Sequence, residues 1–181
     1  MKKLLTRLIL SIALTAPVVV NAQNANSAAN QTVQLGLSNA IELTFVGGSS
    51  TVSIPFLTLS DLVNGVSSPD QNILVRSNRP FKVAVATNSS NFNYTGSSLL
   101  APLLSGYTAI RLKVSNNNTG GTGTIGSWLL LNILPTSAKT ILNNCSAGGN
   151  QTFAVSYKLI PGATLPSGSY NIDMVFTATQ L

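Results

Sequence analysis

The chain has 181 residues, 8% of them charged, with ten basic and four acidic side chains, one cysteine and no histidine. The missing histidines remove the commonest general base, the usual transition-metal ligand and the middle member of a Ser-His-Asp relay, and a single cysteine leaves no intrachain disulfide. The carboxylates Glu42, Asp61, Asp70 and Asp173 are dispersed, so neither the paired acids of glycoside hydrolysis nor a clustered calcium site is expected. The chain therefore reads as non-enzymatic, with no catalytic residue, no cofactor and no metal site.

Lys2, Lys3 and Arg7 precede an apolar run from Leu8 to Val20 that closes on Val-Asn-Ala. That is the pattern of a signal peptide over residues 1–22, and the run is shorter than the ~20 apolar residues of a membrane span. Its removal discards three of the ten basic side chains, leaving seven against four acids and a net charge of +3. The remaining cations are scattered, whereas a nucleic-acid footprint needs them clustered. The expectation is a secreted, periplasmic or cell-surface protein with no membrane span after cleavage and no nucleic-acid partner.

Residues 23–31 are small, polar and aperiodic and read as a flexible leader; residues 32–181 read as one domain. Val33, Leu35, Leu37, Ile41, Leu43 and Phe45 are all odd-numbered, a period of two across both sides of Asn39. This predicts one strand bent at Ser38-Asn39 or two short strands in phase. Val52, Ile54 and Phe56 alternate around Pro55, which predicts an edge position, and "LSDLVNG" predicts a helical turn capped by Ser60. Alternation returns in "NILVRS" and "FKVAVAT", separated by a hairpin or corner at Asn78-Arg79-Pro80. It is cleanest in "AIRLKVS", where Arg111 and Lys113 mark a wet face.

The glycine-rich stretch 116–127 lacks both the spacing and the lysine of a phosphate cradle and reads as loop. "WLLLNIL" reads as buried strand, and Thr136–Gln151 as loop with a helical turn near Ala138–Leu142. "TFAVSYKLI" and the last run, with Tyr170, Ile172, Met174 and Phe176 at every second position, predict a closing hairpin that sets Asp173 beside Lys158. Those four apolar side chains are expected in the core. About eight short strands without helical periodicity predict an antiparallel, Ig-like or pilin-like all-β sandwich. Trp128, Tyr94 and Tyr107 are candidate sugar-stacking rings, each flanked by aliphatic residues that equally suit a core position. A secreted carbohydrate-binding module meeting surface glycans is accordingly the alternative reading of function.

Two stretches carry a family likeness: the opening "QTVQLGLSNAIELTF" behind a polar leader, and the closing "LPSGSYNIDMVFTATQL", where a turn leads into a Tyr-x-Ile-x-Met-x-Phe strand. Together they resemble the pilin-like, spore coat U-like secreted β-sandwich proteins, which are fimbrial or surface-coat subunits. The resemblance implies a non-enzymatic structural or adhesive role at the cell surface. It also implies assembly with itself or related subunits by strand donation, with an export chaperone holding each subunit beforehand. Val33, Leu35 and Leu37 would be the donated side chains; the other reading makes them the first strand of their own domain.

Overall fold

The structure is a computed structural model and describes residues 31–47, 51–98, 103–105, 109–130 and 137–181. The chain falls into two units, residues 1–36 and 37–181, and every described strand lies in the second. In order these are β1 (Ile41–Phe45), helix α1 (Leu59–Asn64), β2 (Val66–Ser67), β3 (Gln71–Ser77), β4 (Phe81–Thr87), β5 (Asn93–Thr95), β6 (Ile110–Asn117), β7 (Leu129–Leu130), β8 (Lys139–Cys145), β9 (Gly148–Leu159), β10 (Ser169–Asn171) and β11 (Met174–Gln180).

They form an antiparallel β-sandwich. One sheet has the order β1-β3-β9-β6-β7, with β2 also on β9, and the other the order β11-β4-β8. A short β10-β5 pair stands apart from both. Alternation fixes which face each strand buries: Ile73 and Val75 of β3, Phe81, Val83 and Val85 of β4, and Ile110, Leu112 and Val114 of β6 all turn into one core cluster. Arg111 stays exposed between its buried neighbours, as period-two burial requires. Each fully buried large side chain contributes about 1.5–3 kcal/mol, so the core stands without a disulfide.

Several expectations are corrected. Residues 31–40 have no regular structure, and the strand begins at Ile41, because its partner β3 ends at Ser77, opposite Ile41. The segment from Thr51 to Leu57 is not a strand, although Val52 and Ile54 still pack on the core. The helix cap is Thr58, not Ser60: Thr58 Oγ1 accepts from the Asp61 N–H at 3.1 Å while Asp61 Oδ2 accepts from the Thr58 N–H at 2.8 Å, a reciprocal capping box. The Asn78–Pro80 turn is a corner that carries the chain from one sheet to the other.

The closing hairpin does not form. Strand β9 pairs with β3 and β6, whereas β11 pairs with β4 in the opposite sheet. Lys158 lies opposite Arg111, and Asp173 Oδ2 accepts from Asn88 Nδ2 at 2.6 Å. The stretch expected as loop and helical turn contains β8, and Cys145 at its end is fully buried. Of the "WLLLNIL" run, Leu129 and Leu130 form β7 and Trp128 is half-buried, while residues 131–136 lie outside the described residues. The glycine-rich loop acquires a structural role, because Thr122 and Asn143 bridge it to β8. A Cβ on Gly121 would lie 2.6 Å from Cys145 Sγ and 2.7 Å from the Asn143 carbonyl oxygen; only glycine lets the two backbones approach so closely.

Candidate functional site

β1 and β11 are the end strands of their respective sheets, and they face each other across one side of the sandwich. Among the described residues β11 pairs with β4 alone, so no strand lies along its outer edge. Its register places Met174, Phe176 and Ala178 inward, where they pack on the core yet stay half-buried. Tyr170 and Ile172, just before it, are half-buried in the same way. On the facing strand Ile41 is 37% and Phe45 36% exposed, and the Phe45 ring meets Phe176 edge-on, 5.9 Å between centroids. An inward-facing apolar strip left partly open beside a free strand edge is a template for pairing with another chain.

The segment before β1 also exposes apolar side chains. Val33, Leu35 and Leu37 are 86%, 79% and 81% exposed, with Gln34, Gly36 and Ser38 between them. Where this segment joins the sandwich its backbone is gripped by side chains. Asn78 Nδ2 donates to the Ser38 carbonyl at 2.8 Å, the Ala40 N–H donates to Asn78 Oδ1 at 3.0 Å, and Gln180 Nε2 donates to the Ala40 carbonyl at 2.9 Å. Sequence reasoning missed Asn78 and Gln180; the only sequence signal is an asparagine opening a turn, which does not reveal a partner 102 residues away.

Two of the three candidate sugar-stacking rings have contacts within the chain. Lys113 Nζ sits 4.9 Å over the half-buried Trp128 ring, a cation–π contact. Tyr94 lies 4.9 Å from Tyr170 at 45°, and its hydroxyl donates to the Ser167 carbonyl at 2.9 Å. Gly168, at φ +156°, leaves the space that the Tyr94 ring fills. Desolvation, followed by the neighbouring Tyr94, raises the pKa of the Tyr170 hydroxyl. Tyr107 lies outside the described residues, as do residues 1–22 and most of the leader.

Three of the four carboxylates, Glu42, Asp61 and Asp173, have partners within the fold. Glu42 Oε2 accepts from Arg76 Nη1 at 3.0 Å with both side chains about half exposed, a pair worth ~0–1 kcal/mol. Asp61 is held below the ordinary aspartate value by accepting from the Leu57 and then the Thr58 backbone N–H groups. Burial pushes the Cys145 thiol up, partly opposed by the Thr119 hydroxyl that donates to its sulfur. Among the described residues no group of three or more His, Cys, Asp or Glu is placed to hold a metal, and no helix is long and apolar enough to cross a membrane.

What the fold and this edge define, among the described residues, is a β-sandwich preceded by an alternating segment with no strand partner and carrying a strand edge that no other strand covers. No family model matches the chain, and no curated protein matches it. A solved structure, a family 123 glycoside hydrolase from Clostridium perfringens, is similar at 15% identity and a TM-score of 0.34, over 78% of this chain. The chain spans 25% of that protein's length, and a likeness of this degree carries no argument about what the present chain does.

Proposed function

We propose that this protein is a non-enzymatic, exported structural or adhesive subunit of the cell surface that assembles by strand donation. Residues 31–37 of one copy, or of a related subunit, extend along the free edge of β11 in the next. Val33, Leu35 and Leu37 there fill the strip over Met174, Phe176 and Ala178, and an export chaperone covers the same strip beforehand. The observation that carries this reading is the pairing of two unmet needs in one chain. Three large aliphatic side chains stand in water at strand spacing, and the last strand of a sheet has its inward face half open.

The fit is quantitative in length. β11 has seven residues, about 23 Å at ~3.3 Å per residue, and residues 31–37 span the same distance when extended. A head-to-tail contact of this kind builds fibres when its rotation does not close into a ring. The sugar-binding alternative has less support, since Trp128 and Tyr94 are engaged by Lys113 and Tyr170. The test is the mass of the chain from Gln23 onward: an SDS-resistant ladder is expected, with none from a chain beginning at Ser38. A monomer from both, at concentrations where fibres would be saturated, refutes the proposal.

A further inference from the structure

We propose that the Asn78–Gln180 clamp on Ser38 and Ala40 is a register stop, which fixes how far the chain can be drawn out of one subunit into the next. The inference rests on the strand-donation reading and adds what sets its alignment. Alternation alone does not set it. A slip of one residue would turn every apolar side chain outward, but a slip of two restores the same face. Val33, Leu35, Leu37, Ile41, Leu43 and Phe45 share one parity, so periodicity tolerates several alignments on β11, including ones that peel β1 from its own sheet.

The geometry supplies what the pattern lacks. Ile41 opposite Ser77 is the last regular pair of β1 and β3. Beyond it the Asn78 N–H donates to the Ala40 carbonyl at 3.2 Å and the Asn78 side chain closes on Ser38 and Ala40. Gln180, from the opposite sheet, adds its Nε2 to the same carbonyl and lies within hydrogen-bonding distance of Asn78 Oδ1 and Ser77 Oγ, at 2.9 and 3.0 Å. The Leu181 N–H donates to the Pro80 carbonyl at 2.9 Å, which secures the end of β11 that carries Gln180. Two separated stretches of chain, at Asn78 and at Gln180, thus meet on residues 38–40, where the polar Asn39 interrupts the apolar series. Everything before Ser38 is left to be donated, and everything after Ala40 is held.

Disulfide mapping on the full chain tests this. Gln34→Cys, on the outward face of the donated segment, is mixed with copies carrying Val175→Cys, Thr177→Cys or Thr179→Cys, which are exposed on β11; the native Cys145 is buried and does not compete. With the clamp intact one of the three positions is expected to dominate the intersubunit disulfide. In the Asn78→Ala/Gln180→Ala background the disulfide is expected to spread over at least two positions, two residues apart. Should the double variant lose its cooperative melt, Gln180→Ala alone is mapped in the same way. In parallel, Ala40 amide exchange in a chain beginning at Ser38 is expected to speed at least tenfold on Asn78→Ala. A disulfide pattern unchanged without the clamp, or an Ala40 amide indifferent to Asn78, overturns the register stop and leaves donation standing. No disulfide at any position with the clamp intact overturns donation, and the register stop with it.

Discussion

A chain beginning at Ser38 should melt almost as a chain beginning at Gln31 does. Val33, Leu35 and Leu37 keep 86%, 79% and 81% of their surface in water, so removing them forfeits about a fifth of the ~1.5–3 kcal/mol that full burial of each would supply. The sum is about 1 kcal/mol, and no strand ladder is lost, since residues 31–40 have no regular structure. For a domain of this size ~1 kcal/mol moves the melting midpoint by roughly 2–4 °C. Leu112→Ala provides the scale: that side chain is fully buried, and its truncation costs about 2–5 kcal/mol, or roughly 5–15 °C. Circular dichroism at a concentration low enough to keep both chains monomeric is the assay. A deletion that lowers the midpoint as much as Leu112→Ala, or abolishes cooperative unfolding, would show that residues 33–37 form an internal strand and would refute the reasoning.

Three further outcomes are expected. Gly121→Ala drives a methyl group against Cys145 Sγ and the Asn143 carbonyl and should cost ~1–3 kcal/mol; Gly149→Ala, with open space at its Cβ, should be nearly neutral in the same denaturant titration. Cys145 should resist an aromatic disulfide reagent at pH 8 until the protein unfolds, because burial raises its pKa and hides the sulfur; native-state labelling at the rate of a free thiol would contradict this. The Leu57 and Thr58 amide resonances should titrate together with a midpoint below 3.8, the ordinary value for Asp61. The cap is then fully formed above that pH and dissolves as pH falls through the depressed folded value; a midpoint at or above 3.8 would contradict the capping box.

Strand faces were legible wherever burial follows a strict period of two. In β4 and β6 the alternate apolar residues of "FKVAVAT" and "AIRLKVS" are the ones that enter the core, because a pleated strand has no other way to bury half its side chains. β8 was illegible for the complementary reason. Ile141 and Leu142 are adjacent and both buried, the pairing with β4 shifts register twice, and Asn144 sits at φ 53°. Bulges erase the period that sequence reading depends on.

The candidate site divides along the same line. Sequence alone determined that the opening segment and β11 each carry an apolar face, since side-chain order fixes the face and needs no partner. Only the tertiary structure decided which strands meet: that β9 and β11 lie in opposite sheets, that β3 ends at Ser77 and leaves residues 31–40 without a strand partner among the described residues, and that Asn78 and Gln180 converge on Ala40. Pairing between sheets is set by long-range packing of the whole core, and hydrogen bonds between residues 102 apart leave no local trace in the chain.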